Sequence, residues 1–183
     1  MDITFTRTGI DGGACKATAV RDDGVTVAAL GSPGRRDVLP HDLVHYVVES
    51  ELRLERGFWG RVAAGVLVGG MMVTAGQQKI ARHRSRVLVK QAKREGNEIE
   101  WLVGSFMALA HKEIGPYLHL HRERVSRFSA DEISRTIAGL LDAQGRWQNL
   151  RPGESMTVTW PVGLRARKNR LSASRKKTLI RSR

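Results

Sequence analysis

Residues 40–60 read PHDLVHYVVESELRLERGFWG. At the roughly 100° per residue of a helix, Leu43, Val44, Val47, Val48 and Leu52 share one broad face, with Leu54 at its edge. Pro40 suits the first helical position, because its missing N–H is one that a helix leaves unpaired there and its φ is preset. Gly57 offers the left-handed cap that ends a helix. The stretch therefore predicts an amphipathic helix that buries its apolar stripe against another layer. His41, His45 and Glu49 recur every four residues along the border of that stripe, with Arg53 and Arg56 beside its lower end. Histidines at i and i+4 project from adjacent turns. They can hold one divalent metal such as zinc, with a carboxylate as a further ligand. No glutamate stands between them, so the general base of an HExxH motif is absent. A competing reading pairs Glu49 with Arg53 as an i, i+4 ion pair. It leaves His45 half-buried and hydrogen-bonded, as a histidine at an apolar border usually is.

N-terminal to this helix the pattern changes to a period of two. Ile3 and Phe5 alternate with polar residues in Asp2–Thr8, while Cys15–Arg21 and Val25–Leu30 are rich in Val, Thr and Ala. Asp22-Asp23-Gly24 between the last two is a hairpin signal, because Asp and Gly accept the positive φ of tight turns. The loop GSPGRR at 31–36 lacks the spacing of a phosphate-binding loop and reads as a connector.

On the C-terminal side, residues 57–76 are apolar and glycine-rich. Arg61 leaves a charge-free run from Val62 to Gly76, short of the roughly 20 residues that span hydrocarbon. It reads as a buried helix, and no transmembrane insertion is expected. Ile99–Ile114 is a second amphipathic helix, stopped by Gly115-Pro116. Tyr117–His121 alternates, so in an extended strand His119 and His121 would share a side and could complete a nitrogen site with the first histidine pair. Ser129-Ala130-Asp131-Glu132 is a capping box opening a third helix, to about Gly145. Residues 155–162, SMTVTWPV, alternate as a strand whose Pro161 suits a sheet edge or strand end.

Charge is distributed unevenly. Residues 1–60 carry seven Lys/Arg against nine Asp/Glu, whereas residues 61–183 carry 24 against nine, a net of +15. The excess lies in two runs. Lys79, Arg82, Arg84, Arg86, Lys90, Lys93 and Arg94 form the first. Arg165, Arg167, Lys168, Arg170, Arg175, Lys176 and Lys177 lie in the second, a tail that reads as disordered when free. Such runs attract polyanions such as nucleic acid or an anionic membrane surface. The single cysteine, Cys15, leaves no internal disulfide and points to a reducing, cytoplasmic compartment. The N-terminus MDITFTRTG has no signal-peptide pattern.

The segment Leu39–Glu49 followed by Gly57-Phe58-Trp59-Gly60 resembles a group of small uncharacterised bacterial proteins. They share a leading hairpin, a PHDLxHxxVE helix, a GFWG turn and a final tryptophan-containing strand. The resemblance implies a shared fold and no catalytic activity.

Together these readings predict one α+β domain over residues 1–162. An antiparallel sheet of the N-terminal strands and the 155–162 strand carries three or four helices on one face, and a basic tail covers 163–183. Two functions are expected from the residues. The first is a non-enzymatic module that binds an anionic partner through its basic segments. The alternative is a metal-dependent hydrolase built on His41, His45 and Glu49.

Overall fold

The period-two segments form the sheet. β1 (Asp2–Thr8) points Ile3, Phe5 and Arg7 inward, all fully buried, and Thr4, Thr6 and Thr8 outward. β2 (Ala14–Val20) pairs with it antiparallel, Ile3 opposite Ala19 and Phe5 opposite Ala17. β3 (Thr26–Leu30) follows the Asp22-Asp23-Gly24 turn, where Gly24 has φ +75° and donates its N–H to the Arg21 carbonyl at 3.0 Å. In the computed structural model, which describes residues 1–8, 14–30, 38–91, 96–112, 115 and 118–164, five antiparallel strands run in the order β4-β3-β2-β1-β5. β5 is Ser155–Thr159, and Pro161 follows its end at one edge of the sheet. β4, Met72–Ala75, forms the other edge and joins β3 across a register shift.

Six α-helices accompany the sheet: α1 (His41–Glu51), α2 (Phe58–Ala64), α3 (Gln78–Gln91), α4 (Gly96–Ala110), α5 (Leu118–Val125) and α6 (Ala130–Asn149). The apolar stripe of α1 joins the inward residues of β1–β3, Trp59 of α2, Phe106 of α4 and Trp147 of α6 in one core. Removing such side chains from water drives the association, at about 25 cal/mol per Å² of apolar surface. Small residues set the spacing: a Cβ on Gly139 would stand 3.1 Å from Val47 Cγ1, so α1 and α6 cross closely there. The opposite sheet face is polar. Thr4 bonds Thr157 at 3.0 Å, Thr6 bonds Ser155 at 2.8 Å, and Thr159 donates to Asp2 at 2.8 Å. No helix of the described residues is long and apolar enough to cross a membrane.

The α+β architecture follows the sequence reading, as do the hairpin and the capping box, where Ser129 Oγ accepts the Glu132 N–H and Glu132 accepts the Ser129 N–H. Several details differ. α1 ends at Glu51, and Arg53 takes the left-handed φ of +56°, so Gly57 is not its cap but the residue that opens α2. Residues 57–76 are not one buried helix: α2 stops at the left-handed Gly65, and the glycine-rich remainder turns into β4. Four strands of the sheet were legible; β4 was not. There are two helices more than the expected upper count of four. Cys15 is a buried strand residue, and burial, with the nearby Asp42 charge, pushes its thiol up to about 12. The tail beyond Leu164 lies outside the described residues.

Candidate metal centre

Helical periodicity brings His41, His45 and Glu49 to one side of α1, but at different depths. His41 is exposed, whereas His45 and Glu49 have no accessible surface. Depth decides their chemistry. A buried carboxylate must be fully hydrogen-bonded, and Glu49 is. Its Oε1 accepts the Phe58 N–H at 2.6 Å and Oε2 accepts the Trp59 N–H at 2.9 Å, which caps the first turn of α2. Oε1 also accepts from His45 Nδ1 at 2.9 Å. The GFWG turn exists to allow this approach. A Cβ on Gly57 would lie 2.1 Å from the Glu49 carboxylate carbon, and one on Gly60 would lie 2.0 Å from the Glu55 carbonyl oxygen. Trp59 locks the turn by donating its indole N–H to the Asp42 carbonyl at 2.7 Å and meeting Phe5 edge-on. The expected Glu49–Arg53 pairing is thus replaced by a capping role for Glu49.

With Nδ1 fixed by Glu49, the other nitrogen of His45 faces α4. There it meets Glu100 Oε2 at 3.3 Å, and His41 Nε2 reaches the same oxygen at 3.4 Å. The two imidazoles sit edge-on, centroids 4.6 Å apart, and Phe58 flanks His45 at 5.3 Å. Burial alone would lower the His45 pKa. The hydrogen bonds and charges of Glu100 and Glu49 overcome it and raise the ring to about 9. Glu100 responds in kind: its hydrogen bond to His45 holds its pKa below the usual carboxylate value. In the absence of metal, His45 is therefore an imidazolium clamped between two carboxylates.

The donor atoms of His41, His45 and Glu100 lie within 4.8 Å of one another. Ligands about 2 Å from a common tetrahedral ion stand roughly 3.3 Å apart, and the two distances to Glu100 match. Glu49 supplies the orienting contact that a metal-bound histidine normally has, a carboxylate on its second nitrogen. Two of these three donors, His41 and His45, came from the sequence reading and the third did not. Glu49 is brought to the site but faces away from the open side. His119 and His121 are not brought there: Leu118–Val125 is helical, so the two project in different directions, and His121 Nδ1 contacts Ser105 Oγ at 3.1 Å. Glu100 was missed because it belongs to another helix, 55 residues from His45. Its local signal was weak, an acid on the border of an apolar run.

The basic residues are placed separately. Lys79, Arg82 and Arg86 stand exposed on α3, while Arg84 is half-buried and reaches Asp23 at 3.3 Å. The side chains of Lys90, Lys93 and Arg94, like Arg165, Arg167, Lys168, Arg170, Arg175, Lys176 and Lys177, lie outside the described residues.

No family model, no curated protein and no solved structure matches this chain.

Proposed function

We propose that the chain binds a divalent transition metal of the zinc class through His41, His45 and Glu100, and uses it for hydrolysis. The observation that carries this reading is the convergence of three donors around His45 Nε2 while Glu49 holds Nδ1. Two imidazoles and one carboxylate suit zinc better than magnesium or calcium, which prefer all-oxygen shells. The site is also one-sided: His45 is buried, but His41 and Glu100 are each more than half exposed. A metal there would keep a position open to solvent, as catalytic rather than structural zinc does. In that setting it would lower the pKa of a bound water to about 7. The chain's own contribution is orientation, since Glu49, with both oxygens engaged, cannot also serve as general base.

Proton and metal compete for His45 Nε2. Because the ring holds its proton up to a pH of about 9, metal binding releases one proton, and affinity rises about tenfold per pH unit from neutrality to that value. The decisive experiment titrates metal-free, tag-free protein with zinc by calorimetry and with cobalt by visible absorption, at several pH values. One equivalent is expected to bind, with the stated pH slope, and His41→Ala and Glu100→Ala are each expected to weaken it tenfold or more. Wild-type binding no tighter than that of a variant carrying both His41→Ala and Glu100→Ala would end the proposal. A panel of chromogenic carboxylic and phosphoric esters, with and without chelator, then tests hydrolysis.

A further inference from the structure

α3 is attached differently from the other long helices. Its buried seam is one residue wide: Ala81 and Ser85 are buried and Leu88 half-buried, at i, i+4 and i+7. Ser85 Oγ accepts the Leu67 N–H at 2.9 Å, and Arg84 reaches Asp23. The remaining described side chains of the helix face solvent. Apart from Gln78, which donates to the Val73 carbonyl at 3.1 Å, they are of two kinds. Lys79, Arg82, His83 and Arg86 are polar and basic, and the helix contains no acidic residue. Ile80, Val87 and Val89 are apolar yet 63%, 46% and 39% exposed.

Their arrangement is regular. At roughly 100° per residue, Lys79, His83 and Arg86 form the crest of the outward face. Ile80 and Val87, seven residues apart, run along one flank, and Val89 lies on the other beside Arg82. Among the described residues, none covers these three aliphatic side chains completely, and each keeps more than a third of its surface in solvent.

We infer that α3 is a docking surface for an anionic phospholipid membrane, on which the helix lies in the plane of the interface. Charge complementarity supplies the attraction: a helix of cations without acids is drawn to anionic headgroups within a Debye length. The aliphatic flank supplies the second component, insertion at the boundary between headgroups and acyl chains, which marks interfacial helices. This flank selects lipid over nucleic acid. A nucleic-acid backbone would reward the cations but leave Ile80 and Val87 without a partner. The surface uses none of the residues of the metal centre and stands independently of it.

Co-sedimentation of the full chain with phosphatidylcholine vesicles, with and without phosphatidylserine, tests this. Binding is expected only with phosphatidylserine and is expected to fall as salt rises. The Lys79→Gln/Arg82→Gln/Arg86→Gln variant should lower the partition coefficient at least tenfold. Ile80→Ser/Val87→Ser should lower it severalfold, while leaving any affinity for duplex DNA in a parallel filter-binding titration unchanged. These residues are exposed, and circular dichroism and Tm matching the wild type identify folded variants. The inference is overturned by any of three results: no phosphatidylserine-dependent binding, binding insensitive to both α3 variants (which would assign it to the tail), or vesicle binding that ignores the loss of Ile80 and Val87.

Discussion

His45 carries a proton that the fold both places at risk and protects. It is stripped of water, yet its two nitrogens face Glu49 and Glu100, and the net result is a pKa of about 9 against an ordinary 6.5. A folded-state pKa above the unfolded value means that the stabilisation is complete below pH 6.5 and disappears as pH climbs through about 9. The difference corresponds to roughly 3 kcal/mol. Urea unfolding of metal-free protein at pH 6 and above pH 9 should therefore show a loss of this size in the wild type and a much smaller one in His45→Gln. Equal losses would mean that the ring is not charged in the folded state. Glu49 gives a complementary test. An amide at this position must direct its NH₂ toward backbone donors or the imidazole, so Glu49→Gln should cost about 2–4 kcal/mol in the same measurement. The sequence made half of this site legible. A repeat of four along α1 sufficed to align His41, His45 and Glu49, because that geometry is local. It could not reveal that Glu49 turns back to cap α2, nor that Glu100 completes the cluster, because both depend on how separate helices dock.

Secondary-structure elements were legible where their signal is periodic or capped, and illegible where they are too short to show a period. The alternation in β1 and the reciprocal Ser129–Glu132 bonds opening α6 both appear as read. β4 is four residues inside a glycine-rich run, and α5 is an eight-residue helix whose His119-Leu120-His121 mimics strand alternation. For α2, shape outweighs propensity. Gly60 lies inside the helix, where glycine normally costs about 0.5–1 kcal/mol relative to alanine. Yet an added methyl there would meet the Glu55 carbonyl oxygen, a backbone atom that cannot step aside. Gly104, within α4, is exposed and faces nothing within 4 Å. The same substitution should therefore act in opposite directions. Gly60→Ala should destabilise by about 3 kcal/mol through overpacking, and Gly104→Ala should stabilise by about 0.5–1 kcal/mol through helix propensity. Denaturation midpoints of the two variants check the pair. A neutral Gly60→Ala would show that the turn before α2 can relax, and with it the support of Glu49.

At the scale of the whole molecule, the two ends of the described chain are joined by one buried cation. β1 is an interior strand of the sheet, between β2 and β5, and so pairs on one side with a strand from the other end of the domain. Arg7, at the end of β1, has no accessible surface. Its Nη1 donates to the carbonyls of Trp147 at 3.0 Å and Leu150 at 2.7 Å, and its guanidinium lies 5.6 Å from the Trp147 ring centroid. The Trp147 carbonyl also accepts the Leu150 N–H at 3.2 Å, so Arg7 adds a second donor to the closing turn of α6, and a cation there is also favoured by the helix dipole. The Arg7 backbone holds the next turn, donating to the Glu154 carbonyl at 2.9 Å and accepting the Gly153 N–H at 2.8 Å. Arg7 thus fixes where α6 stops and where β5 starts, and it couples the first strand to the last helix and the last strand. Lysine keeps the charge but lacks the planar fork and the ring stacking. Arg7→Lys should lower stability by about 2–4 kcal/mol. Because the elements it joins span the domain, the loss should appear as one cooperative transition, with tryptophan fluorescence and far-ultraviolet circular dichroism moving together at an unchanged urea m-value. A loss below about 0.5 kcal/mol, the range of ordinary surface substitutions, would show that the end of α6 is held by its apolar stripe alone. Separated fluorescence and dichroism transitions would show instead that α6 and β5 can leave while β1–β4 remain folded.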